Sequence, residues 1–224
     1  MRPTTTVRIV AVGLCLAMAS LAGHATAAPP TCFGRTATPG HLGSSGDDTI
    51  SGSTRDDVII GLGGNDRLIG FEGNDRVCGG GNSDTVNGGE GRDRLHGGVG
   101  ADGGGAADGG LFGGAGSDLL VGGTGRDELN GMGGDDRGFG GGGHDELFDD
   151  AEVTPPGDDQ MHGGAGDDTI VMSYGGFDDA YGDAGSDTLY VRDGTGDDLA
   201  DGGPDPDTCF HDEGDVRVSC TGRT

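Results

Sequence analysis

Between Gly43 and His96 an aliphatic residue returns at every ninth position, as Ile50, Ile59, Leu68, Val77, Val86 and Leu95. Each stands two residues after an aspartate (Asp48, Asp57, Asp66, Asp75, Asp84, Asp93), and each unit opens on glycine. A period of nine fits neither the stripe of an amphipathic helix nor the continuous alternation of a long strand. It fits a six-residue turn followed by a three-residue strand, with position 8 directed inward and its neighbours outward. The glycines at positions 1, 2 and 4 predict positive φ, and Asn82, at position 4 of its unit, is the next most tolerant residue there. Two nonads make one coil, and coils stack about 4.8 Å apart as parallel strands. The pattern predicts an all-β solenoid whose interior is one thin row of aliphatics from each side.

The stretch Gly61–His96 holds four consecutive well-formed units, and the pattern continues to Phe210 with register breaks near 103–112, 149–153, 172 and 191–192. Beyond Asp93 the sixth positions are Asp102, Asp108, Asp118, Asp127, Asp136, Asp145, Asp159, Asp168, Asp178, Asp187, Asp198 and Asp207, which makes eighteen in all. Arg55 at position 4 and Gly138 at position 8 depart from the rule. Residues 28–42 are rich in Pro, Thr and Gly without periodicity and form a lead-in segment. Residues 211–224 read as a cap, with a polar run (His211, Asp212, Glu213, Asp215) and a last alternating strand at Val216 and Val218; terminal coils need such cover.

Composition changes the picture in two ways. With 54 glycines among 224 residues, no Trp and 4% aromatics, a conventional core is out of reach. With 39 acidic residues against 13 basic ones, all arginine, the net charge is −26. Such a chain repels nucleic acid and anionic membranes, and without bound cations it has the composition of a disordered segment. Residues 1–27, with Arg2, Arg8, the apolar run Ile9–Leu21 and Ala25-Thr26-Ala27, read as a secretory signal peptide, so the protein is expected to be extracellular, with no membrane insertion. Its removal takes away two arginines and no acid, leaving −28. Four cysteines remain, and an even number in an exported chain suggests two disulfides. Of the three possible pairings, Cys32 with Cys78 and Cys209 with Cys220 joins neighbours toward each end.

A glycine-rich roll with so thin a core cannot offset the entropy of ordering its backbone. Calcium can, because it takes six to eight oxygen ligands and mixes carboxylates with backbone carbonyls. Turns n and n+2 lie on the same side, so Asp66 and Asp84 are expected to share one ion while Asp75 and Asp93 share another. Eighteen turns paired in this way allow at most sixteen sites. The eighteen aspartates are therefore the candidate metal ligands and Ca2+ the expected cofactor. Sites in Gly61–His96 are expected to fill first, so that losing Asp75 matters more than losing Asp178.

On these residues the array resembles the RTX (repeats-in-toxin, hemolysin-type) calcium-binding family, over roughly Gly43–Phe210. The resemblance implies a right-handed parallel β-roll, calcium held between successive turns, and a chain that folds on meeting extracellular calcium. The cysteine layout is similar to that of small secreted RTX-like proteins of high-GC Gram-positive bacteria. The motif is specific for calcium and unspecific for biological role.

Other chemistry finds little support. Among His41, His96, His144, His162 and His211 there is no H-E-x-x-H, and the chain has no G-x-S-x-G elbow; a phosphate loop is impossible without lysine. Acid pairs such as Asp47-Asp48, Asp135-Asp136 and Asp167-Asp168 follow from the repeat, with position 6 a ligand and position 5 a solvated charge. The histidines are expected to face solvent. Tyr174, Phe177, Tyr181 and Tyr190 gather on the later units as strand packing or as a ligand-facing strip, packing being favoured. The segment 149–156 is the best candidate for a functional loop, although a neutral bulge is the favoured reading. The reading is a non-enzymatic calcium-binding roll; the alternatives are an adhesive rod with a cell-surface or polysaccharide partner, and a non-catalytic module of a secreted enzyme.

Overall fold

Each nonad delivers one short strand, and successive strands go to opposite sheets. The computed structural model describes residues 28–103, 109–149, 157–173, 175–194 and 196–221. Over these the chain is a parallel β-roll of two nine-stranded sheets, without helix. The first sheet runs from Thr49–Ser51 to Thr208–His211 and the second from Val58–Ile60 to Val216–Val218, each in strict alternate order along the sequence. Register between neighbouring coils aligns like positions, as in Leu68 with Val86 and Val77 with Leu95. The signal-peptide segment, Asp108, residues 150–156 and Tyr174 lie outside the described residues.

The core is the row expected from position 8. Ile59, Leu68, Val77, Val86, Leu95, Leu111, Leu120, Leu129, Leu147, Ile170 and Leu189 are all fully buried. Burying one such side chain contributes roughly 1.5–3 kcal/mol. Gly138 breaks the row without leaving a void, because a methyl group there would run into the Met161 sulfur; the next coil's methionine fills the space. Met172 and Val191 add a second set of apolar contacts late in the roll.

Both ends are fastened. Cys32 of a small antiparallel hairpin (Thr31–Cys32 with Arg35–Thr36) is disulfide-bonded to Cys78 on the second sheet, Cα–Cα 5.8 Å. Thr38 and His41 donate and accept backbone hydrogen bonds at the open edge of the strand Val58–Ile60. At the other end Cys209 is bonded to Cys220, Cα–Cα 5.6 Å. The strand Val216–Val218, read as part of a cap, pairs parallel with Leu199–Asp201 and so completes the second sheet.

Several aromatic residues are used in packing, whereas Phe177 is 63% exposed. Phe139, His162 and Tyr181 stack in sequence on the outer face of the second sheet, with ring centroids 5.1 and 4.4 Å apart, and Tyr190 stacks on Phe210 at 4.7 Å. Strand register forces this, since like positions fall on adjacent strands. The histidines are correspondingly less free than expected: His162 lies within this stack, His41 is 3.4 Å from an Asp57 carboxylate oxygen, and His96 packs edge-on to Phe33.

Candidate metal centre

The sixth position of every described turn points into the roll edge, and its aspartates form two ladders. Ladder I comprises Asp48, Asp66, Asp84, Asp102, Asp127, Asp145, Asp168, Asp187 and Asp207, each preceding a strand of the first sheet. In it the backbone N–H of each aspartate donates to Oδ1 of the next, over eight steps. Ladder II comprises Asp57, Asp75, Asp93, Asp118, Asp136, Asp159, Asp178 and Asp198, joined in the same way over seven steps. All fifteen bonds are 2.6–2.9 Å long. Seventeen of the eighteen candidate ligands thus fall in line. The remaining one, Asp108, is outside the described residues, and ladder I passes from Asp102 directly to Asp127.

The second carboxylate oxygen is what distinguishes these residues. In each ladder aspartate after the first, Oδ2 is buried with no hydrogen-bond partner, fifteen atoms in all and as many as there are ladder steps. Asp48 and Asp57, which have no coil before them, differ: their Oδ2 atoms accept bonds from the N–H and hydroxyl of Ser44 and Ser53. Serine at position 2 therefore closes each ladder where the stack begins. Apart from Asp48, every ladder aspartate is at most 4% exposed. A buried ionised carboxylate oxygen without a donor is strongly unfavourable, so the arrangement calls for a cation or a proton at each step.

Glycine at position 1 opens the same space. A Cβ on Gly61 would overlap Asp66 Oδ2, and one on Gly70 would overlap Asp75 Oδ2 and the Gly88 carbonyl oxygen. Positive φ, expected at positions 1, 2 and 4, is found only at the latter two, as at Gly80 (123°) and Gly91 (135°), while Gly61 and Gly79 lie outside that region. Position 1 thus needs glycine for room. Leu62, Phe71, Met132 and Asp183 hold position 2 at φ of 66–83° despite their side chains.

Electrostatics follow from burial. Desolvation pushes Asp75, Asp84, Asp118, Asp127, Asp187 and Asp198 up to about 6. The same cause takes Asp93, Asp102, Asp159, Asp168 and Asp178 to about 7, and Asp136 to about 9, with neighbouring rungs adding to the rise. Backbone N–H donors oppose the shift without cancelling it. Outside the ladders the sign reverses: the Asn74 backbone N–H holds Asp56 below the usual carboxylate range.

Asp56 belongs to a feature that the repeat pattern did not disclose. Position 5 was expected to be a solvated charge, yet its side chains stitch the turns together in the opposite sense. Asn65 and Asn74 donate their N–H to Asp47 and Asp56, Ser83 and Arg92 donate to the Asn65 and Asn74 side chains, and Asp167 donates to His144 Nδ1. The recurrence of Asp, Asn and Ser at position 5 was the available signal, since these side chains bond nearby backbone. A second omission is Asp215. Val216 N–H donates to the Asp198 carbonyl as the residue after each rung does, which puts Asp215 next in line on ladder II.

The RTX calcium-binding nonapeptide repeat (four copies) matches residues 42–77, 69–103, 112–147, 156–171 and 190–217. No curated protein matches the chain. The repeat spacing, the parallel β-roll it builds and the extent of this match together place the chain in the RTX calcium-binding nonapeptide repeat family.

Proposed function

We propose that this is a secreted, non-catalytic calcium-binding protein in which the aspartates of both ladders are the ligands and in which ion uptake outside the cell drives folding. The fifteen buried Oδ2 atoms without donors carry the reading. Calcium bound there supplies two positive charges and a demand for oxygen ligands at each step. The chain's own residues supply the rest: Oδ1 ties each rung to the backbone of its neighbour, Oδ2 remains available, and position-1 glycine leaves the room.

Charge balance agrees with this division. Fifteen divalent ions would bring +30 to a chain that carries −28 without residues 1–27. In the absence of ions the ionised ladders repel along the whole roll, and the thin core cannot hold it together, which makes folding conditional on calcium. The low calcium inside a cell and the millimolar calcium outside would then confine folding to the far side of export, in keeping with the signal-peptide pattern of residues 1–27. Circular dichroism during a calcium titration tests this: a cooperative rise in β signal by millimolar calcium is expected, and a spectrum indifferent to calcium would sink the reading.

A further inference from the structure

The strand Glu146–Asp149 ends on an acid where the repeat has glycine. Asn130 aligns with Phe148, so Asp149 stacks after Gly131, and it aligns with Met172 of the following coil. Met172 pairs with Val191, and both belong to the hydrophobic core. Asp149 thus points inward, 1% exposed, at a position that the next two coils give to apolar side chains. Among the described residues it is the only fully buried charged side chain outside the ladders.

Its surroundings are as unusual as its position. One oxygen each of Asp149, Asp159 and Asp178 lie within 4.8 Å of one another, and all three residues are at most 2% exposed. Oδ1 of Asp159 and of Asp178 is taken by the amides of Asp136 and Asp159, while Oδ2 of both is buried without a donor. Three ionised carboxylates at this separation, shielded from water, repel too strongly to persist without protons or a cation among them. An ordinary ladder step offers two, and the other three-carboxylate group among the described residues, Asp178 with Asp193 and Asp198, has Asp193 only half-buried and shares Asp178 with this one.

We propose that Asp149 is a cation ligand outside the nonapeptide pattern, and that Asp149, Asp159 and Asp178 form a three-carboxylate site tighter than the other ladder steps. The proposal rests on the calcium-binding reading above and adds a residue and an order of filling to it. Ligand charge is a main control of calcium affinity, and here it is raised by one. The site also sits beside an interruption of the repeat, with 14 residues from Asp145 to Asp159 against nine in a regular unit. A tight ion at this point fixes the register across the interruption. Three carboxylates match a trivalent ion in charge, so terbium should prefer this site.

The test uses the full chain, with Asp149→Asn and Asp93→Asn variants, in calcium titrations against a chelating dye and in native mass spectrometry with terbium in excess calcium. Wild type is expected to show one site at least about tenfold tighter than the rest and to retain one terbium. Asp149→Asn should lose both signatures while keeping its β signal at saturating calcium, and Asp93→Asn should keep both. An Asp149→Asn isotherm equal to or tighter than wild type would overturn the proposal. So would the absence of a preferred terbium in wild type, a result that stands even if the variant does not fold. A wild type that takes up neither ion would overturn the calcium-binding reading itself.

Discussion

The edge of the roll that carries ladder I keeps glycine at the head of all nine of its turns, from Gly43 to Gly202. The edge that carries ladder II keeps glycine for five turns, from Gly52 to Gly131, and then has Asp149, Met172 and Val191. Its turns lengthen at the same place: 14, 10 and 11 residues lead from Asp145, Asp168 and Asp187 to the ladder II rungs Asp159, Asp178 and Asp198, where nine is regular, while the steps from those rungs on to ladder I stay at nine. The aspartate ladder nevertheless continues without a missing step. Two demands folded into one motif are thereby separated. The rung needs an aspartate at fixed height in the stack, whereas glycine at position 1 is needed only while the turn is short. A longer turn admits a side chain, and the roll uses it to enlarge its core or to add a carboxylate.

The sharpest way to break this comparison is to move a side chain from one edge to the other. Gly79→Val puts on ladder I what position 191 has on ladder II, and its Cβ would overlap Asp84 Oδ2 within a turn of regular length. We expect destabilisation of more than about 4 kcal/mol, seen as loss of the calcium-induced β signal. Val191→Gly, on the lengthened edge, should cost only roughly 2–3 kcal/mol by denaturant titration in calcium. Similar losses for the two would mean that turn length does not decide where glycine is required.

A smaller effect concerns which rungs matter. Regularity of sequence favours Asp75 over Asp178, but the geometry favours the reverse. Asp178 shares one three-carboxylate group with Asp149 and Asp159 and another with Asp193 and Asp198. Asp75 stands between Asp57 and Asp93 alone. Asp178→Ala should therefore raise the calcium midpoint more than Asp75→Ala, by about tenfold. Equal midpoints would show that the added carboxylates do not set the later rungs of ladder II apart from its regular start.

Protons give a third lever. The rungs raised to about 6–7 bind protons in the folded, ion-free state at pH values where an unfolded aspartate does not. The ion-free roll is thus most favoured below about pH 4, and that support is lost as pH rises through 6 to 7. Calcium requires the ionised form, so its affinity moves the other way. For a rung near 7, going from pH 8 to pH 6 should weaken binding roughly tenfold, read as the shift in calcium midpoint and as proton release on binding. A pH-independent midpoint would show that the rungs stay ionised whether or not an ion is present.

The smallest expected effect is at the start of the ladders. Ser53→Gly removes the hydroxyl donor to Asp57 Oδ2 and should cost about 1 kcal/mol, with no change in ion count. An additional ion bound by the variant would show that serine stands in for a cation there.

How far these features can be read from the chain depends on the range over which each is determined. The inward row at position 8 and the rungs at position 6 follow from a nine-residue period and need no coordinates. Which turns face each other across a break does not, because an insertion shifts height as well as spacing. The segment after Asp102 illustrates this, since Asp102 is itself the rung and the strand resumes at Gly110. Asp149 and Asp215 were hidden for the same reason: one sits at an interruption and the other beyond the last clean nonad. The reason for position-1 glycine was out of reach because its neighbours, the carboxylate oxygen of its own turn's aspartate and a carbonyl of the next coil, are brought there by the folding of the turn and the stacking of the coils.

The central claim, that each ladder step holds one calcium ion and that these ions make the fold, is tested most directly by native mass spectrometry of the full chain with and without calcium. The account predicts up to fifteen ions per chain, one per step, with a compact charge distribution that appears only when they are bound. A chain that is equally compact without calcium, or that takes up none at millimolar concentration, would contradict it.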